Sequence, residues 1–553
     1  MSTPDRALLD WIEEAPEERG LRFAGPGDSW DFHSYADLAE QVLRTAEALR
    51  AAGAGDGDVV AVVQRCSPGF VATFFGAIAA GCTPCSIAPP FALQRRGAYA
   101  ERARALFTTA RPAVIVCDDE SLALVRGVTE GLDLPAPVLF DALVAGVGPA
   151  SKPYPPAEFA LLQFTSGSSG RSRGVLIGHD ALRNDVNAIH RWTQWLPGDA
   201  GVSWLPVHHD MGLIGCLVSF VTVGCDGWML QPDDFLRSPL RYLRCLSENK
   251  LSLTAMPNFG LVYILNRVRP EQLEGLDFGS VRSLILGAER IDPQVLEDFE
   301  KLLGPYGFDR RALLPAYGGA EATLAVTGLP IGEGWTTVDL EGEQAGRYVG
   351  CGRPLDGVRV RVVDDRGDEV PDRVVGEVLV SGGTVGTRYR DDIVTASGTV
   401  LGGGVLRTGD AGFMSGGQLF VVGRIGDGVR IRGRMVFAEN LEARLHELGI
   451  PQRRVAILLG HREDRPTGVV VLEKPEPRWQ SAAHSVLAEA LGHEADLLAV
   501  EMPRGGIAVT SSGKPRRRVM WAALTAGELR GDIRSLTPAL LGAASPPGAP
   551  RSQ

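Results

Sequence analysis

Short runs of β-branched and other apolar residues alternate with helical patterns along this 553-residue chain. Leu38, Val42 and Leu49 give residues 35–52 an apolar face at helical spacing. The runs at 59–63 and 113–116 are typical of buried strands, and a second helical pattern over 70–80 lies between them. This alternation indicates an α/β fold, and the length is enough for about three or four domain-sized units.

Three predicted strands, over residues 160–164, 283–286 and 312–316, run directly into turns that contain glycine or serine. In open α/β sheets, ligands bind beyond the carboxyl ends of the strands. We therefore expect these three turns to share one pocket.

The pattern becomes more strictly β from Val358 onward. Strands are predicted over 358–363, 377–381 and 418–423, with a hairpin turn over 364–368. A stretch with its own mixed α/β pattern follows Asp427. We therefore expect an N-terminal domain over 1–426 with a β-rich part from about residue 350, and a small C-terminal domain over 427–535. Residues 536–553 are expected to be a disordered tail.

Several classes of protein are disfavoured by composition. The net charge of -11 argues against a general nucleic-acid binder, because a phosphate backbone needs a basic surface. The longest apolar segments, such as 70–80, are too short to span a bilayer, and the N-terminus has no secretory signal. Eight cysteines in apolar surroundings favour reduced thiols, and Cys82-x-x-Cys85 lacks the further ligands of a zinc site. We therefore expect a cytoplasmic protein.

The strongest local signal is the loop after the predicted strand 160–164. It contains Thr165, Ser166, Gly167, Ser168, Ser169 and Gly170. Backbone N–H groups and small hydroxyl donors at close approach suit a polyphosphate, which needs donors on several oxygens. Taken alone, the loop is also compatible with a flexible Gly/Ser linker, and the chain has no Walker motif.

Eight segments, in the same order, resemble the adenylate-forming superfamily of acyl-CoA synthetases, nonribosomal adenylation domains and luciferases, and most closely the fatty acyl-AMP ligases. The likeness extends from about Tyr35 to Arg518. Besides the loop, the segments are 206–215, 256–259, 287–289, 316–323, 406–410, 423–427 and 510–514. The resemblance implies an α/β fold whose large N-terminal domain has two mixed sheets and a β-rich subdomain, followed by a small mobile α/β domain.

The resemblance also implies a nucleotide site. The loop Thr165 to Gly170 would hold phosphates, and Glu321 would bind Mg2+. The adenine would meet Gly287, Ala288 and Glu289. The adenylate would further contact Ala316, Tyr317, Gly318 and Ala320, and its ribose Asp410 and Arg424.

An acyl pocket is implied as well, with His209, Met211, Gly212, Ile214, Asn258 and Phe259 at its border. Gly212, Gly260 and Gly318 are expected to leave room in it, and Met211, Phe259 and Leu261 to make it apolar. A fatty or aromatic acid would suit such a pocket. We interpret His209 as a catalytic histidine that orients the carboxylate; the cluster His208-His209-Asp210 leaves a metal site as the alternative.

The chemistry explains why acidic and basic residues are needed together. Attack of a carboxylate on the α-phosphate of ATP brings two anions together, and Mg2+ on Glu321 and the ammonium of Lys514 would supply positive charge. Among 56 basic residues, only Lys152, Lys250, Lys301, Lys474 and Lys514 are lysines, so Lys514 gains weight. Asp427 would be the hinge that brings Lys514 in for adenylation and away for thiol transfer.

Two features depart from the family pattern. Arg173 stands where many members have lysine, and residues 322–349 are short for the insertion that acyl-AMP ligases use to discriminate against coenzyme A. We expect transfer to the phosphopantetheine thiol of an acyl or peptidyl carrier protein, in lipid, polyketide or nonribosomal-peptide biosynthesis. An acyl- or aryl-CoA ligase is the alternative, and an inactive nucleotide-binding scaffold a second one. The sequence indicates neither the particular acid nor the oligomeric state.

Overall fold

The computed structural model describes residues 7–90, 96–165, 172–195, 198–341, 344, 346–391, 399–431, 434–462, 465–492, 495–510 and 513–536. The chain forms two compact units that divide between Val422 and Gly423. The sequence places this boundary a few residues later, at Asp427. The expected disordered tail falls almost entirely on 537–553, outside the described residues.

The strands of the first unit are short and spread along its whole length. They are β1 (Gly20–Ala24), β2 (Trp30–Ser34), β3 (Val59–Val63), β4 (Thr83–Ser86), β5 (Val114–Cys117), β6 (Val138–Leu139), β7 (Phe159–Phe164), β8 (Gly174–Gly178), β9 (Ala200–Ser203), β10 (Asp226–Met229), β11 (Leu253–Pro257), β12 (Ser283–Gly287), β13 (Leu313–Gly318), β14 (Ala325–Gly328), β15 (Thr337–Leu340), β16 (Gly346–Val349), β17 (Arg353–Pro354), β18 (Val358–Val363), β19 (Gly376–Gly382), β20 (Arg388–Tyr389), β21 (Val400–Gly402), β22 (Val405–Ser415) and β23 (Gln418–Arg424), the last of which runs into the second unit.

The helices of the first unit lie mostly before the β-rich part. They are α1 (Tyr35–Ala51), α2 (Pro68–Ala79), α3 (Arg96–Ala110), α4 (Asp119–Thr129), α5 (Phe140–Val144), α6 (His179–Thr193), α7 (Asp210–Gly212), α8 (Ser219–Val223), α9 (Pro232–Arg237), α10 (Pro239–Glu248), α11 (Asn258–Arg267) and α12 (Pro293–Leu303). A π-helix over Leu213–Val218 connects α7 to α8.

A nine-stranded sheet forms the centre of the first unit, in the order β17-β14-β13-β12-β11-β9-β10-β1-β2. The six strands from β13 to β1 are parallel to their neighbours, while β14, β17 and β2 are antiparallel. The carboxyl ends of β12 and β13 therefore lie side by side at one edge of the sheet.

The other sheets of this unit are smaller. β4-β3-β5-β6 form a four-stranded sheet, and β20-β8-β7 form a three-stranded antiparallel one. β3 is buried along its whole length, as expected for a parallel strand covered on both faces. The α/β class is confirmed. Of two sheets expected to be mixed, the nine-stranded one is mixed, whereas every described pairing of the four-stranded one is parallel.

Both predicted helices begin at a serine cap. The side chain of Ser34 accepts a hydrogen bond from the backbone of Asp37 at the start of α1. Ser67 caps α2 in the same way, and Pro68 occupies its first turn. Proline is tolerated in the first turn of a helix, where the N–H that it lacks would have no partner. The helix α2 therefore begins at Pro68, two positions before the predicted residue 70.

The β-rich part has the strand order β18-β19-β22-β21, with β23 beside β22. Its three predicted strands are confirmed. The turn at 364–368 is present, since the backbone N–H of Asp364 donates to Asp368 at 2.9 Å. It returns the chain to pair Glu369 with Val363, however, and β19 begins only after a further loop. The turn therefore does not join β18 directly to β19.

The second unit has its own core. It contains β24 (Gly428–Ile431), β25 (Arg434–Phe437), β26 (Val455–Arg462), β27 (Arg465–Glu473), β28 (Asp496–Met502), β29 (Asp532–Ser535), α13 (Ala438–Glu447), α14 (Pro477–Leu491) and α15 (Arg517–Thr525). β26-β27-β28-β29 form one sheet, in which β27 and β28 are parallel and are connected through α14. Trp479 of α14 is fully buried in the core.

All eight cysteines are buried free thiols, as predicted. Within the described ranges, no helix is both long enough and apolar enough to cross a bilayer.

Candidate active site

Glu321 lies just beyond the carboxyl end of β13, in a 3-10 turn over Ala320–Ala322. The turn is fixed from the β-rich side: the carbonyl of Glu321 accepts from the backbone N–H of Gly386 at 2.9 Å. Thr323 closes it with a φ of 70°, an uncommon conformation for a residue other than glycine. Its buried hydroxyl donates to the carbonyl of Thr384 at 2.6 Å. These bonds give Glu321 a defined position.

The carboxylate of Glu321 has two partners from other elements. The hydroxyl of Tyr389 donates to its Oε1 at 3.2 Å, and Nη2 of Arg173 lies 3.6 Å from the same oxygen. The guanidinium of Arg173 also rests on the ring of Tyr389, 3.9 Å from its centroid. We refer to Arg173, Glu321 and Tyr389 as the Glu321 cluster. The cluster places Arg173, which follows the predicted phosphate loop, beside the predicted metal ligand Glu321.

The predicted phosphate loop begins and ends at this cluster. Thr165 follows β7 and Arg173 precedes β8, and the N–H of Thr165 donates to the carbonyl of Arg173 at 2.9 Å. Ser166, Gly167, Ser168, Ser169 and Gly170 lie outside the described residues. Although β7 belongs to a different sheet from β13, the contact of Arg173 with Glu321 brings the two strand ends together.

Asp410 lies on β22 and faces the same strand end through Tyr317 of β13. The hydroxyl of Tyr317 donates to Oδ2 of Asp410 at 2.7 Å. The backbone N–H of Asp410 donates to the hydroxyl of Thr408, which itself donates to the carbonyl of Val378. Three residues of the predicted nucleotide site, Tyr317, Glu321 and Asp410, thus lie at or beside the carboxyl end of β13.

The predicted adenine turn follows β12. Ala288 has a φ of 67°, so the backbone turns sharply after Gly287. A carboxylate oxygen of Glu289 accepts a hydrogen bond from the backbone of Phe259, and Oδ1 of Asn258 accepts from the N–H of Asp292 at 3.2 Å. The start of α11 and the turn after β12 are therefore bonded to each other. Gly287 also lies near the predicted neighbours Met211 and Ala316.

His209 and Met211 border a segment that is attached to β7. The side-chain amide of Gln163 donates to the carbonyl of His208 at 3.1 Å. The rings of His208 and His209 are 4.6 Å apart. Burial lowers the pKa of His208 well below its usual value, and the neighbouring His209 and Arg102 lower it further. His208 is therefore a neutral structural histidine at neutral pH, next to the predicted catalytic one.

The backbone after Met211 is unusual. α7 passes into the π-helix Leu213–Val218, where the hydroxyl of Ser219 donates to the carbonyl of Ile214 at 2.8 Å. π-helical turns are rare and are frequent at functional sites. No pattern in the sequence predicts this π-helix.

The prediction that three glycines leave room in the acyl pocket is wrong. A Cβ on Gly318 would lie 1.8 Å from the carbonyl oxygen of Leu324, and one on Gly212 would lie 2.4 Å from that of Pro206. A Cβ on Gly260 would meet the sulfur of Met256 at 2.8 Å. These glycines permit close packing rather than open space.

The apolar residues predicted beside the pocket occupy different environments. Ile214 and Leu261 are fully buried members of the main core. Phe259 is half-buried and packs edge-on against Trp204, with ring centroids 5.7 Å apart. Met211 lies next to Gly287 and Gly215. Met211 and Phe259 are therefore the accessible apolar candidates of the set.

Lys514, Arg424 and Asp427 belong to the second unit. Two hydrogen bonds join Lys514 to Thr510: the backbone N–H of Thr510 donates to the carbonyl of Lys514 at 2.8 Å, and the N–H of Lys514 donates to the hydroxyl of Thr510 at 3.1 Å. Asp427 is buried beside Arg517 and Arg518. The places of Lys514 and Arg424 in the site, and the hinge role of Asp427, remain predictions.

Comparison with known proteins agrees with this geometry. Residues 8–390 match the AMP-binding enzyme family. The long-chain-fatty-acid–AMP ligase FadD26 of Mycobacterium marinum is 30% identical, over 94% of this chain and 97% of its own. Mycobacterium tuberculosis fadD25, named as a fatty-acid–CoA ligase, is 29% identical, over 91% and 94%. A structure from a study of fatty acyl-adenylate ligases of E. coli and L. pneumophila has a TM-score of 0.86 at 27% identity, and covers 95% of this chain and 99% of that one.

The chain belongs to the AMP-binding enzyme family, and the resemblance to fatty acyl-AMP ligases is confirmed. It is a ligase that uses ATP to activate an acid by adenylation. The inactive-scaffold alternative is therefore not retained.

Proposed function

We propose that this ligase activates a fatty or aromatic acid with ATP and Mg2+, and then passes the acyl group to the phosphopantetheine thiol of a carrier protein. The observation that supports the proposal most is the convergence of Glu321, Tyr317 and Asp410 at the end of β13. Glu321 follows β13 in the chain, and Asp410, from a distant part of the sequence, accepts a hydrogen bond from Tyr317 of the same strand.

The donor set at Glu321 suits Mg2+, which prefers carboxylate and phosphate oxygens. Its carboxylate is mostly buried, with a side-chain exposure of 16%, and its two partners, the hydroxyl of Tyr389 and the guanidinium of Arg173, both contact Oε1. Bound Mg2+ would neutralise phosphate charge as the acyl carboxylate approaches. Asp410 would accept hydrogen bonds from the ribose hydroxyls, and Lys514 would add an ammonium near the α-phosphate.

The choice between a carrier protein and coenzyme A as acyl acceptor depends on another part of the chain. Residues 322–349, short for the insertion of acyl-AMP ligases, include the antiparallel hairpin of β15 and β16. Arg347 of this hairpin pairs with Glu297 of α12 at 3.1 Å, and Trp335 beside it donates to Glu300 at 2.5 Å. We propose that this hairpin, anchored on α12, keeps a barrier to coenzyme A. Transfer to coenzyme A is the second candidate, which the name of the relative fadD25 favours.

Mass spectrometry of acyl-AMP tests the proposal. Purified protein, ATP and Mg2+ would be incubated with a panel of fatty and aromatic acids, and coenzyme A or a phosphopantetheinylated carrier protein would be added in parallel. We expect an adenylate that loads only the carrier. Loading of coenzyme A alone would replace the proposed acceptor, and absence of an adenylate with every acid would contradict the proposed substrate class.

A further inference from the structure

We propose that Tyr389 is a positioning residue of the magnesium–nucleotide site, and that it holds Glu321 and Arg173 as one unit. This inference rests on the proposed role of Glu321 as the Mg2+ ligand. Tyr389 provides two different contacts: its hydroxyl donates to Oε1 of Glu321 at 3.2 Å, and its ring supports the guanidinium of Arg173 at 3.9 Å.

Strand pairing explains why Tyr389 lies beside Arg173. β20 pairs with β8, so that Tyr389 lies opposite Val175, two residues after Arg173 and on the same face of the strand. The N–H of Arg390 donates to the carbonyl of Gly174 at 2.7 Å and extends this pairing. This backbone pairing places the ring under the guanidinium.

Burial gives these contacts weight. The side chains of Arg173 and Glu321 are exposed by only 11% and 16%. Arg173 is also bonded to the carbonyl of Thr399, at 3.3 Å from Nη1. Two charges shielded from solvent interact more strongly than two charges at the surface. The position that Tyr389 gives to Arg173 therefore affects the Glu321 carboxylate.

The contacts also explain the arginine at position 173. A planar guanidinium stacks on an aromatic ring and donates from its edge at the same time, whereas an ammonium is a compact point charge. Arg173 and Tyr389 are thus matched to each other. Together they hold one oxygen of Glu321 from two directions and fix the direction in which the carboxylate faces a metal.

Tyr389→Phe separates the two contacts, because it keeps the ring under Arg173 and removes only the hydroxyl. The affinity for α,β-methylene-ATP would be measured with Mn2+ and again with EDTA, and the ratio of the two dissociation constants isolates the metal contact. We call the dissociation constant with EDTA divided by that with Mn2+ the Mn2+ ratio. We expect the Mn2+ ratio to fall about three- to tenfold in Tyr389→Phe. The Mg2+ concentration needed for half-maximal acyl-AMP formation should rise by a similar factor.

Tyr154→Phe is the matched control. The hydroxyl of Tyr154 donates to Glu47 at 2.7 Å and its ring supports Arg50 at 4.7 Å, so the same three residue types meet far from the site. This variant should leave the Mn2+ effect and the Mg2+ requirement unchanged. A general loss of stability would move the melting temperature of both variants without a change in the ratio.

A second pair of variants tests whether Arg173 acts with Tyr389. We expect a lower Mn2+ ratio in each single variant, Tyr389→Leu and Arg173→Lys. In the double variant the Mn2+ ratio should be no lower than in Tyr389→Leu. Additive losses would overturn the shared role. If the wild type forms acyl-AMP normally but the Mn2+ ratio is unchanged in Tyr389→Phe, the positioning role of Tyr389 is overturned and the proposed function stands. Absence of adenylation by the wild type would instead contradict the proposed function.

Discussion

Tyr317 donates its hydroxyl hydrogen to Oδ2 of Asp410 at 2.7 Å, and so joins β13 to β22. The backbone N–H of Asp410 also donates to the hydroxyl of Thr408. The Tyr317 hydroxyl thus helps to set the rotation of the carboxylate that we expect to meet the ribose.

Tyr317→Phe should raise the KM for ATP about three- to tenfold, because the carboxylate of Asp410 loses a hydrogen bond that helps to orient it. The maximal rate should change less, since the reacting phosphate is not involved. Pyrophosphate release at varied ATP would measure both. Tyr306→Phe is a control that removes a hydroxyl bonded to the carbonyl of Pro270. Equal KM values for the two variants would contradict the role of Tyr317.

Lys514→Ala should reduce acyl-AMP formation by about a hundredfold or more, because an ammonium at the developing charge would be lost. Transfer from a supplied acyl-AMP to the thiol should persist, since the expected second state removes Lys514 from the site. The two half-reactions would be measured separately. Lys301→Ala, on α12, should leave both unchanged. Equal losses in both half-reactions of a folded Lys514→Ala protein would contradict the assignment.

The hairpin of β15 and β16 offers a test of acceptor choice. Trp335 is buried and donates to Glu300 of α12, so Trp335→Ala should loosen the hairpin by about 3 kcal/mol. If the hairpin excludes coenzyme A, this variant should gain acyl-CoA formation while acyl-AMP formation is retained. Product analysis would measure this gain, and hydrogen exchange of β15 and β16 would confirm the loosening.

Arg347→Ala is the control for the hairpin, because its ion pair with Glu297 is partly exposed to solvent and contributes about 1 kcal/mol or less. A loosened hairpin without any acyl-CoA would assign the exclusion of coenzyme A to another part of the chain.

Elements with a regular pattern could be predicted from the sequence. Strand β3 could be predicted because it is an unbroken run of five apolar residues, and helix α1 because its apolar residues recur at helical spacing. Glu321 and Asp410 could be found because their neighbours resemble a family. Tyr389 could not, because its partner Glu321 lies 68 residues away and no local pattern indicates the pairing.

Features that depend on the exact path of the folded backbone were misread or missed. Gly318 and Gly212 were expected to leave space, but the atoms that exclude a side chain there belong to Leu324 and Pro206 and become neighbours only on folding. The π-helix Leu213–Val218 has an apolar composition that is equally typical of a buried α-helix. Periodicity does not distinguish the two.

The second unit contains a buried cluster of charges that makes its stability depend on pH. Arg517 lies between Glu442, at 2.6 Å, Glu439, at 3.1 Å, and Asp427, at 3.4 Å, and Arg518 lies 3.5 Å from Asp427. Burial raises the pKa of Glu439 to about 7; Arg517 opposes the shift, and Asp427 and Glu442 add to it. The folded unit therefore binds a proton at Glu439 more tightly than the unfolded chain does.

Because the pKa of Glu439 is raised on folding, its protonated form favours the folded unit at low pH. This contribution should be present in full below about pH 4.5 and lost progressively as the pH rises to about 7, a change of at most about 3 kcal/mol. Glu439→Gln cannot ionise, so its stability relative to the wild type should increase between pH 5 and pH 8.

Hydrogen exchange of the α13 amides in the full-length protein would measure that difference at the two pH values. Glu447→Gln, exposed at the end of the same helix, should show no such change. If Glu439→Gln followed the wild type in parallel from pH 5 to pH 8, Glu439 would be ionised throughout, and the arginines would be sufficient to compensate all three carboxylates.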